Sequence, residues 1–457
     1  MNSKNMLSEK LKPLRVVNNY KFRFYRTLAN DVQRWVCCKK TCNAAIKYDV
    51  NGTICEQNTT HNHEPDDLQS ILRQKVSNSA KRKAVEQFSE RPSKIIHSEM
   101  SSTALSVLDS NDISLIRKNI HTTRMNIYPK LPRDFPQLHA TLPDVINKIQ
   151  TKNNEKWIFI NDVQNNIVCF TTQINLDFLK QCDSIFMDGT FSSCPFPFKQ
   201  LFVIHGFKNS SYIPLFFSLL PSKCHNAYKT VLDHLKNHLC DYIPNRVFSD
   251  FEQAIHTAIK DVWPTTNLKA CRFHLGQAWF RKMQSLGLAK PYMKPGEMSE
   301  YLKLFFGLPF LRPDEVDDCF VTDIMALLPP NNSKLTAFTD YILEVYVRED
   351  SRYPPSLWAE CSSSITRTTN ACESFHSKLN SMFYHSHPNI FIFIDALNEI
   401  QTNGYLKMNC TKNSRVNKKS IEKEHFLAQQ IQYYEEGEIN RLEFLKSISF
   451  KFIPTKF

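Results

Sequence analysis

The chain has 457 residues, too many for one compact core, so two or three domains are expected. Its formal net charge of +12 suits a polyanionic partner such as nucleic acid, although charge alone also fits any soluble basic protein. No apolar run approaches the roughly 20 residues of a membrane span, and the polar start MNSKNMLSEK has no secretory signal, so neither membrane insertion nor secretion is expected.

Residues 16–67 are predicted to form a small β-rich domain. Tyr20, Phe22 and Phe24 alternate with polar residues, which is typical of a strand with one buried face, and Gly52 marks a turn. The cysteines that follow this segment are scattered singly and are expected to be reduced. Of these, we expect burial in the core for Cys169, Cys182, Cys240 and Cys319.

Four metal-binding residue types lie close together in the β-rich segment. Cys37, Cys42, His61 and His63 have the spacing C-x4-C-x18-H-x-H, and two thiolates with two imidazoles are a common tetrahedral zinc set. His61 and His63 are two residues apart, so they point to the same side of an extended segment. The alternative is that Cys38 replaces Cys37 as the ligand.

The residues around this cluster resemble a known module. Trp35-x-Cys37, Cys42-Asn-Ala44 and His61-Asn-His63 are similar to the FLYWCH-type zinc finger. The resemblance implies a DNA- or protein-binding domain, so an adaptor that binds proteins through the finger is one alternative function.

Residues 68–150 are predicted to be a helical linker or an accessory DNA-binding segment. Helical patterns run over residues 72–88 and 113–127. The basic run at residues 81–83 is interpreted as a solvated helix face, or alternatively as a phosphate contact or nuclear-import signal.

Residues 151–403 are predicted to form a mixed α/β domain. Apolar runs bounded by turn residues predict strands at 184–191, 200–207, 212–219 and 246–250, with a helix at 228–240 that carries the chain across to the last strand. After Trp263 the pattern is mainly helical through Pro355, with a helical insertion at about 285–360. Residues 404–457 are predicted to be a charged helical tail.

Two aspartates stand at the ends of predicted strands. Asp188 and Asp250 would converge on one metal ion if their strands are neighbours in a sheet. The alternatives are that Asp250 is the N-cap of the next helix and that Asp188 is a turn residue before Gly189.

A third carboxylate lies on a predicted helix. Glu373 shares a helix face with Asn370, His376 and Ser377, although a single Glu on a helix is usually a solvated residue. Three carboxylates fit two Mg²⁺ ions roughly 3.5–4 Å apart, which activate a water or a DNA 3′-hydroxyl for attack on a phosphodiester.

Taken together, these motifs resemble the transposase domain of Mutator-like elements (MULE). The residues that carry the resemblance are Met187-Asp188-Gly189-Thr190-Phe191, Phe248-Ser249-Asp250, Cys271-x2-His274, Thr369-Asn370-x2-Glu373-x2-His376 and His387-Pro388-Asn389. The resemblance implies a ribonuclease H-like mixed-sheet core with a helical insertion. It further implies an Asp188, Asp250 and Glu373 triad that binds Mg²⁺ or Mn²⁺.

The resemblance also implies roles for four neighbouring residues. Cys271, His274, Asn370 and His376 would support the active site or contact DNA. Alternatively, Cys271 and His274 bind zinc, or are a core cysteine beside a helix histidine.

The sequence therefore predicts a nuclear DNA transposase that cleaves and joins DNA. Its expected partner is double-stranded DNA at the terminal inverted repeats of an element, bound by a homo-oligomer. The alternative is a host-adopted, sequence-specific DNA-binding regulator derived from a transposase and without catalytic activity.

Overall fold

The computed structural model of the chain describes residues 4–8, 12–86, 90–126, 130–146, 150–240, 242–364, 370–383, 385–410 and 418–451. Side chains are described in these ranges except at positions 4–5, 144–146, 370–371 and 373. The chain forms two compact units, Met1–Leu131 with Met382–Tyr384, and Pro132–Ser381 with His385–Phe457. Within the described ranges, no helix combines the length and the apolar character of a membrane span.

The first unit begins with an antiparallel sheet whose six strands follow one another in chain order. They are β1 (Lys4–Leu7), β2 (Pro13–Val17), β3 (Tyr20–Thr27), β4 (Gln33–Cys37), β5 (Ala45–Tyr48) and β6 (Ile54–Asn58). Phe22, Trp35 and Tyr48 form the core of one face, and Gly52 occupies the predicted turn with a φ of 77°. The sheet starts earlier than expected from the sequence, because β1 and most of β2 precede residue 16.

Four helices complete the first unit: α1 (Leu68–Glu86), α2 (Pro92–Glu99), α3 (Ser102–Val107) and α4 (Ser110–Met125). The two helices predicted for this region are confirmed as α1 and α4. Val76, Ala80 and Ile116 belong to the core between these helices. The Asp109 side chain caps α4, which explains where that helix begins.

The second unit contains a mixed sheet of seven strands in the order β13-β12-β9-β10-β11-β8-β7. Their bounds are β7 (Ile158–Asp162), β8 (Ile167–Phe170), β9 (Ser184–Thr190), β10 (Gln200–Lys208), β11 (Ser211–Leu220), β12 (Arg246–Ser249) and β13 (Asn267–Ala270). β9, β10 and β11 are antiparallel neighbours, whereas β12 runs parallel to β9 and to β13. The mixed α/β class and the crossover to β12 are confirmed, while β13 lies in a region expected to be helical.

Helices cover both faces of this sheet. Those in the first part of the unit are α5 (Phe135–Ile146), α6 (Gln173–Leu179), α7 (His225–His238), α8 (Gln253–Val262) and α9 (Arg272–Ser285). Apolar residues of α7 and α8 pack against Ile185 and Met187 of β9. Because side chains alternate along a strand, Phe186 and Asp188 belong to the opposite face.

The segment after α9 is built from short helices. These are α10 (Ala289–Met293), α11 (Glu297–Leu304), α12 (Val316–Asp318), α13 (Ser333–Ile342) and α14 (Pro355–Trp358), with 3-10 or π turns at residues 305–310, 313–315, 319–327 and 343–347. This segment contacts the sheet beside Asp250, where Tyr353 Oη donates a hydrogen bond of 2.6 Å to the carbonyl of Phe251.

Four longer helices end the described chain: α15 (Asn370–Ser381), α16 (Ile390–Met408), α17 (Lys418–Glu435) and α18 (Arg441–Lys451). Phe444 and Leu445 of α18 are fully buried in one core with Leu302 and Phe305 of the short-helix segment. Arg441 of α18 also contacts the short-helix segment, where it forms ion pairs with Asp318 (2.6 Å) and Asp323 (2.5 Å).

The expectation for the scattered cysteines is confirmed at three of four positions. Cys169, Cys182 and Cys319 are buried. Cys240 is exposed, contrary to expectation, because α7 ends at the preceding turn and Cys240 takes a left-handed conformation at the surface with a φ of 52°.

Candidate metal sites

The four predicted zinc ligands meet in the first unit. Their ligand atoms all lie within 4.8 Å of one another, with Cys37 Sγ 3.2 Å from His63 Nε2 and Cys42 Sγ 3.3 Å from His61 Nδ1. These separations approach the ~3.5 Å between sulfur and nitrogen in a zinc tetrahedron. Cys38 is exposed and outside the cluster, so the alternative that it replaces Cys37 is wrong.

Neighbouring groups fix the orientation of both histidines. His63 Nδ1 lies 2.8 Å from the carbonyl of Glu64, so its N–H donates there and leaves Nε2 for a metal. The ring of Tyr20 stacks on His61 at a centroid distance of 3.5 Å, and Tyr20 Oη donates to the carbonyl of His63. The donor set, its geometry and these supports fit a structural zinc site.

Asp188 and Asp250 stand at the same edge of the mixed sheet. Asp188 is the fifth residue of β9, and Asp250 directly follows β12. In the parallel register of these strands Phe248 pairs with Phe186, so two residues further along Asp250 is level with Asp188. The register therefore places the two predicted residues at the same level on neighbouring strands.

The Asp250 carboxylate is largely buried, and its Oδ1 has no hydrogen bond to the described residues. Burial raises the pKa of Asp250, and the nearby His274 and Lys223 oppose that rise. The helix-cap alternative for Asp250 is wrong, because α8 begins after Glu252 and no side chain caps it.

Two hydrogen bonds hold the backbone that carries Asp250. His256 Nε2 lies 2.7 Å from the carbonyl of Asp250, and burial lowers the pKa of His256 to about 4. The imidazole is therefore neutral at pH 7, and its Nε2–H donates to that carbonyl. With the bond from Tyr353 to Phe251, this fixes the loop before any ligand binds.

Helix α15 packs on the sheet face that carries Asp188. Cys372 is buried against Phe186 and Phe248, and His376 Nδ1 lies 3.6 Å from Asp188 Oδ2. Glu373 lies on this helix one turn before His376. The side chains of Glu373 and Asn370 fall outside the described part of the structure, and so does residue 369.

The other two predicted support residues stand at the start of α9. Cys271 is buried, and its backbone N–H donates a hydrogen bond of 2.8 Å to the carbonyl of Ser249, one residue before Asp250. His274 is near enough to Asp250 to favour its charged form. The one cluster of potential metal ligands among the described residues is that of the first unit, which does not favour zinc at Cys271 and His274.

Four further residues surround Asp250 that sequence reasoning missed. Glu252 accepts a hydrogen bond of 2.9 Å from Tyr228 Oη and has Lys223 Nζ at 3.9 Å. Tyr228 Oη also lies 2.6 Å from Gln200 Oε1. The sequence could have indicated Glu252, because it is a carboxylate two residues after Asp250. Lys223, Tyr228 and Gln200 lie far from Asp250 in the sequence and belong to no motif.

Arginines crowd the exposed face of the first sheet. Arg26 of β3 pairs directly with Arg34 of β4, and the ring of Tyr25 has both guanidinium groups within 5.8 Å of its centroid. Arg23, Arg26 and Arg34 form no ion pair in the described part of the chain. Like charges opposite each other destabilise a sheet, so this face, hereafter the arginine face (Arg23, Tyr25, Arg26 and Arg34), fits an anionic partner.

Comparison with known proteins finds a family match in part of each unit. Residues 6–63 match the FLYWCH zinc finger domain, and residues 184–278 match the MULE transposase domain. No curated protein matches the chain. Among solved structures, a Drosophila P element transposase strand transfer complex is similar, with 13% identity, 76% of this chain and 99% of that chain covered, and a TM-score of 0.30.

Proposed function

We propose that this chain, which carries a MULE transposase domain behind a FLYWCH zinc finger domain, is a DNA transposase that cleaves and transfers DNA strands with divalent metal ions. The pair of aspartates at the ends of β9 and β12 supports this most directly. The largely buried Asp250, whose Oδ1 has no hydrogen bond among the described residues, is suited to a cation that offsets its desolvation. Mg²⁺ or Mn²⁺ fits such an oxygen donor set, with waters completing the shell.

Glu373 is the third proposed ligand of these ions. It lies one turn before His376 on α15, and the contact of His376 with Asp188 brings this helix to the carboxylate edge of the sheet. When bound, the ions would activate a water or a DNA 3′-hydroxyl and stabilise the leaving oxygen.

The surrounding groups are proposed to tune this site. His274 and Lys223 offset negative charge at Asp250, while His376 holds the orientation of Asp188. Cys271 anchors the start of α9 to the end of β12, which keeps His274 in place. We assign Asn370 a polar contact with DNA or substrate from the first turn of α15.

DNA binding is proposed for the first unit through the arginine face. Its guanidinium groups form no ion pair with the described residues and are suited to phosphates, and the exposed Tyr25 offers a hydrogen-bond donor between them. The family matches support double-stranded DNA at the terminal inverted repeats of an element as the partner. Joining two ends requires at least two copies of the chain, so we propose a homo-oligomer that works in the nucleus.

A nicking assay on supercoiled plasmid with Mg²⁺ or Mn²⁺ tests the proposed activity. We expect metal-dependent nicking by the wild type and none by Asp188→Asn, Asp250→Asn or Glu373→Gln. Asp340→Asn removes an exposed carboxylate from the same unit and is the matched control, with activity retained.

Zinc content and DNA affinity of every protein are measured alongside nicking. A wild-type protein that holds zinc and binds DNA but nicks nothing with either metal contradicts the proposal. That outcome favours the inactive, host-adopted DNA-binding regulator.

A further inference from the structure

A cleft of about 480 Å³ opens on the second unit. The β10–β11 hairpin forms one side of it, and helices α15 and α16 form the other. His205 lies at its floor, and the residues that line it include Ser374, Lys378, Asn403 and Lys407. The described residues that line it include no aspartate or glutamate.

Two lysines bring positive charge into the cleft. Lys378 and Lys407 both line it, and neither forms an ion pair in the described part of the chain. Lys407 Nζ donates to the carbonyl of Tyr212 at 3.3 Å, which fixes its position at the hairpin. Burial and the nearby Lys378 lower the pKa of Lys407, so the two ammonium groups repel each other across the cleft.

The floor of the cleft is a buried histidine with an unused nitrogen. His205 is 1% exposed, its Nδ1 lies 3.5 Å from Cys372 Sγ, and its Nε2 has no hydrogen bond to the described residues. Burial, with His376 and Lys407 nearby, lowers the pKa of His205 to about 3, so the ring is neutral at pH 7.

We propose that this cleft binds a phosphate group. Lys378 and Lys407 supply the charge, while the Ser374 hydroxyl and the Asn403 amide supply hydrogen-bond donors. We take this group to be a backbone phosphate of a nucleic acid, and that choice rests on the proposed function. A free phosphate compound could supply the same group.

The position of the cleft suits a strand that approaches the carboxylates. His376 is near enough to His205 to affect its pKa and also contacts Asp188, so this residue separates the cleft from the aspartates. Cys372, Phe375 and Lys378 all belong to α15, which therefore borders both sites. A phosphodiester in the cleft would place the neighbouring nucleotides along this helix.

The test compares Lys378→Ala/Lys407→Ala with Lys290→Ala/Lys294→Ala, which removes two exposed lysines elsewhere in the same unit. Affinity for a labelled duplex is measured by fluorescence anisotropy over a range of salt concentrations. The logarithm of the binding constant falls linearly with log salt, and loss of two phosphate contacts makes this negative slope shallower by about 1.8. We expect this change and an affinity loss of about 10-fold in the cleft variant, and neither in the control.

Inorganic phosphate provides the second arm. Its effect on the melting temperature is compared between the wild type and both variants. One outcome is that the salt dependence of duplex binding is unchanged in the cleft variant, while inorganic phosphate raises the melting temperature of the wild type and the control but not of the cleft variant. That outcome identifies a free phosphate compound as the ligand. If both measurements agree between the cleft variant and the control, the proposal is wrong. Neither measurement depends on nicking, so failure of the proposed catalytic activity is distinguishable.

Discussion

His376 Nδ1 lies 3.6 Å from Asp188 Oδ2, and this contact joins helix α15 to the strand that carries the first aspartate. We expect His376→Ala to lower metal-dependent nicking about 10- to 100-fold, the usual cost of losing an outer partner of a metal-binding carboxylate. His376→Gln keeps a hydrogen-bond donor and should recover part of the activity while flattening its pH dependence. Ser381→Ala, at the exposed last residue of the same helix, is the control, and an equal loss in that variant points to general disruption of α15.

Asp250 destabilises the metal-free protein at neutral pH, because burial raises its pKa and the charged form is disfavoured. The free energy of unfolding of the wild type therefore decreases as the pH rises through the raised pKa of Asp250. Asp250→Asn has no charge at this position and should melt at a higher temperature than wild type at pH 7. A difference of 1 kcal/mol corresponds to about 1–2 °C in a unit of this size. Calorimetry without divalent metal should show the gap shrinking as pH falls from 7 to 4. A wild type that melts above Asp250→Asn at pH 7 excludes this account.

We expect wild type to hold one zinc ion per chain, Cys42→Ser to lose it and Cys38→Ser to keep it. The reason is that Cys42 Sγ faces His61 Nδ1 at 3.3 Å, while Cys38 is exposed and outside the cluster. Zinc is measured by atomic emission after gel filtration. Chelation should also make the first unit sensitive to protease, since structural zinc contributes directly to folding. Zinc loss in Cys38→Ser, with Cys42→Ser unaffected, would reverse the ligand assignment.

Gly189→Ala should destabilise the second unit by about 1–3 kcal/mol, as overpacking of a filled site does. A Cβ at Gly189 would lie 1.9 Å from Gln200 Nε2, and Gln200 is buried and bonded to Tyr228. Urea unfolding measures the change, and Gln200→Ala should rescue part of it by vacating the space. Gly404→Ala, in a helix with no atom nearer than 3.9 Å, serves as control and should be neutral or stabilising.

Arg26→Ala/Arg34→Ala should weaken duplex binding and reduce its salt dependence, because phosphate contacts release counterions. The same change relieves the repulsion between two arginines opposite each other on β3 and β4, so the melting temperature should hold or rise. Arg117→Ala/Lys118→Ala removes two exposed charges from α4 and should leave both quantities unchanged. An arginine face that serves a protein partner would instead leave duplex binding intact.

The sequence predicted the parts of this fold that have strong local patterns. Strands β9, β10 and β11 are apolar runs between turn residues, and the Cys37–His63 cluster has ligand types at short spacing. Strand β13 has the sequence Asn-Leu-Lys-Ala, which lacks β-branched residues and is defined only by pairing with β12. Likewise, β1 has only four residues, Lys-Asn-Met-Leu, without alternation, and becomes a strand through its pairing with β2.

The same distinction applies to the candidate site. Asp188 and Asp250 could be proposed from their positions at strand ends, because neighbouring parallel strands place equivalent residues side by side. Lys223 and Tyr228 reach this edge from a loop and from α7, so only the tertiary structure shows their proximity to Glu252. His205 carries a weak signal, a titratable residue inside an apolar strand, but its role depends on the cleft above it.

The packing of α18 against the short-helix segment has a consequence for biosynthesis. Gly307 accommodates Leu445, whose Cδ1 would lie 2.7 Å from a Cβ at that glycine, so residues nearly 140 positions apart share one core. The earlier helices therefore leave the ribosome tens of residues before the helix that covers them is synthesised. Until α18 arrives, Phe305 and its neighbours expose an apolar surface, which makes the nascent chain a natural client for chaperones that bind such surfaces.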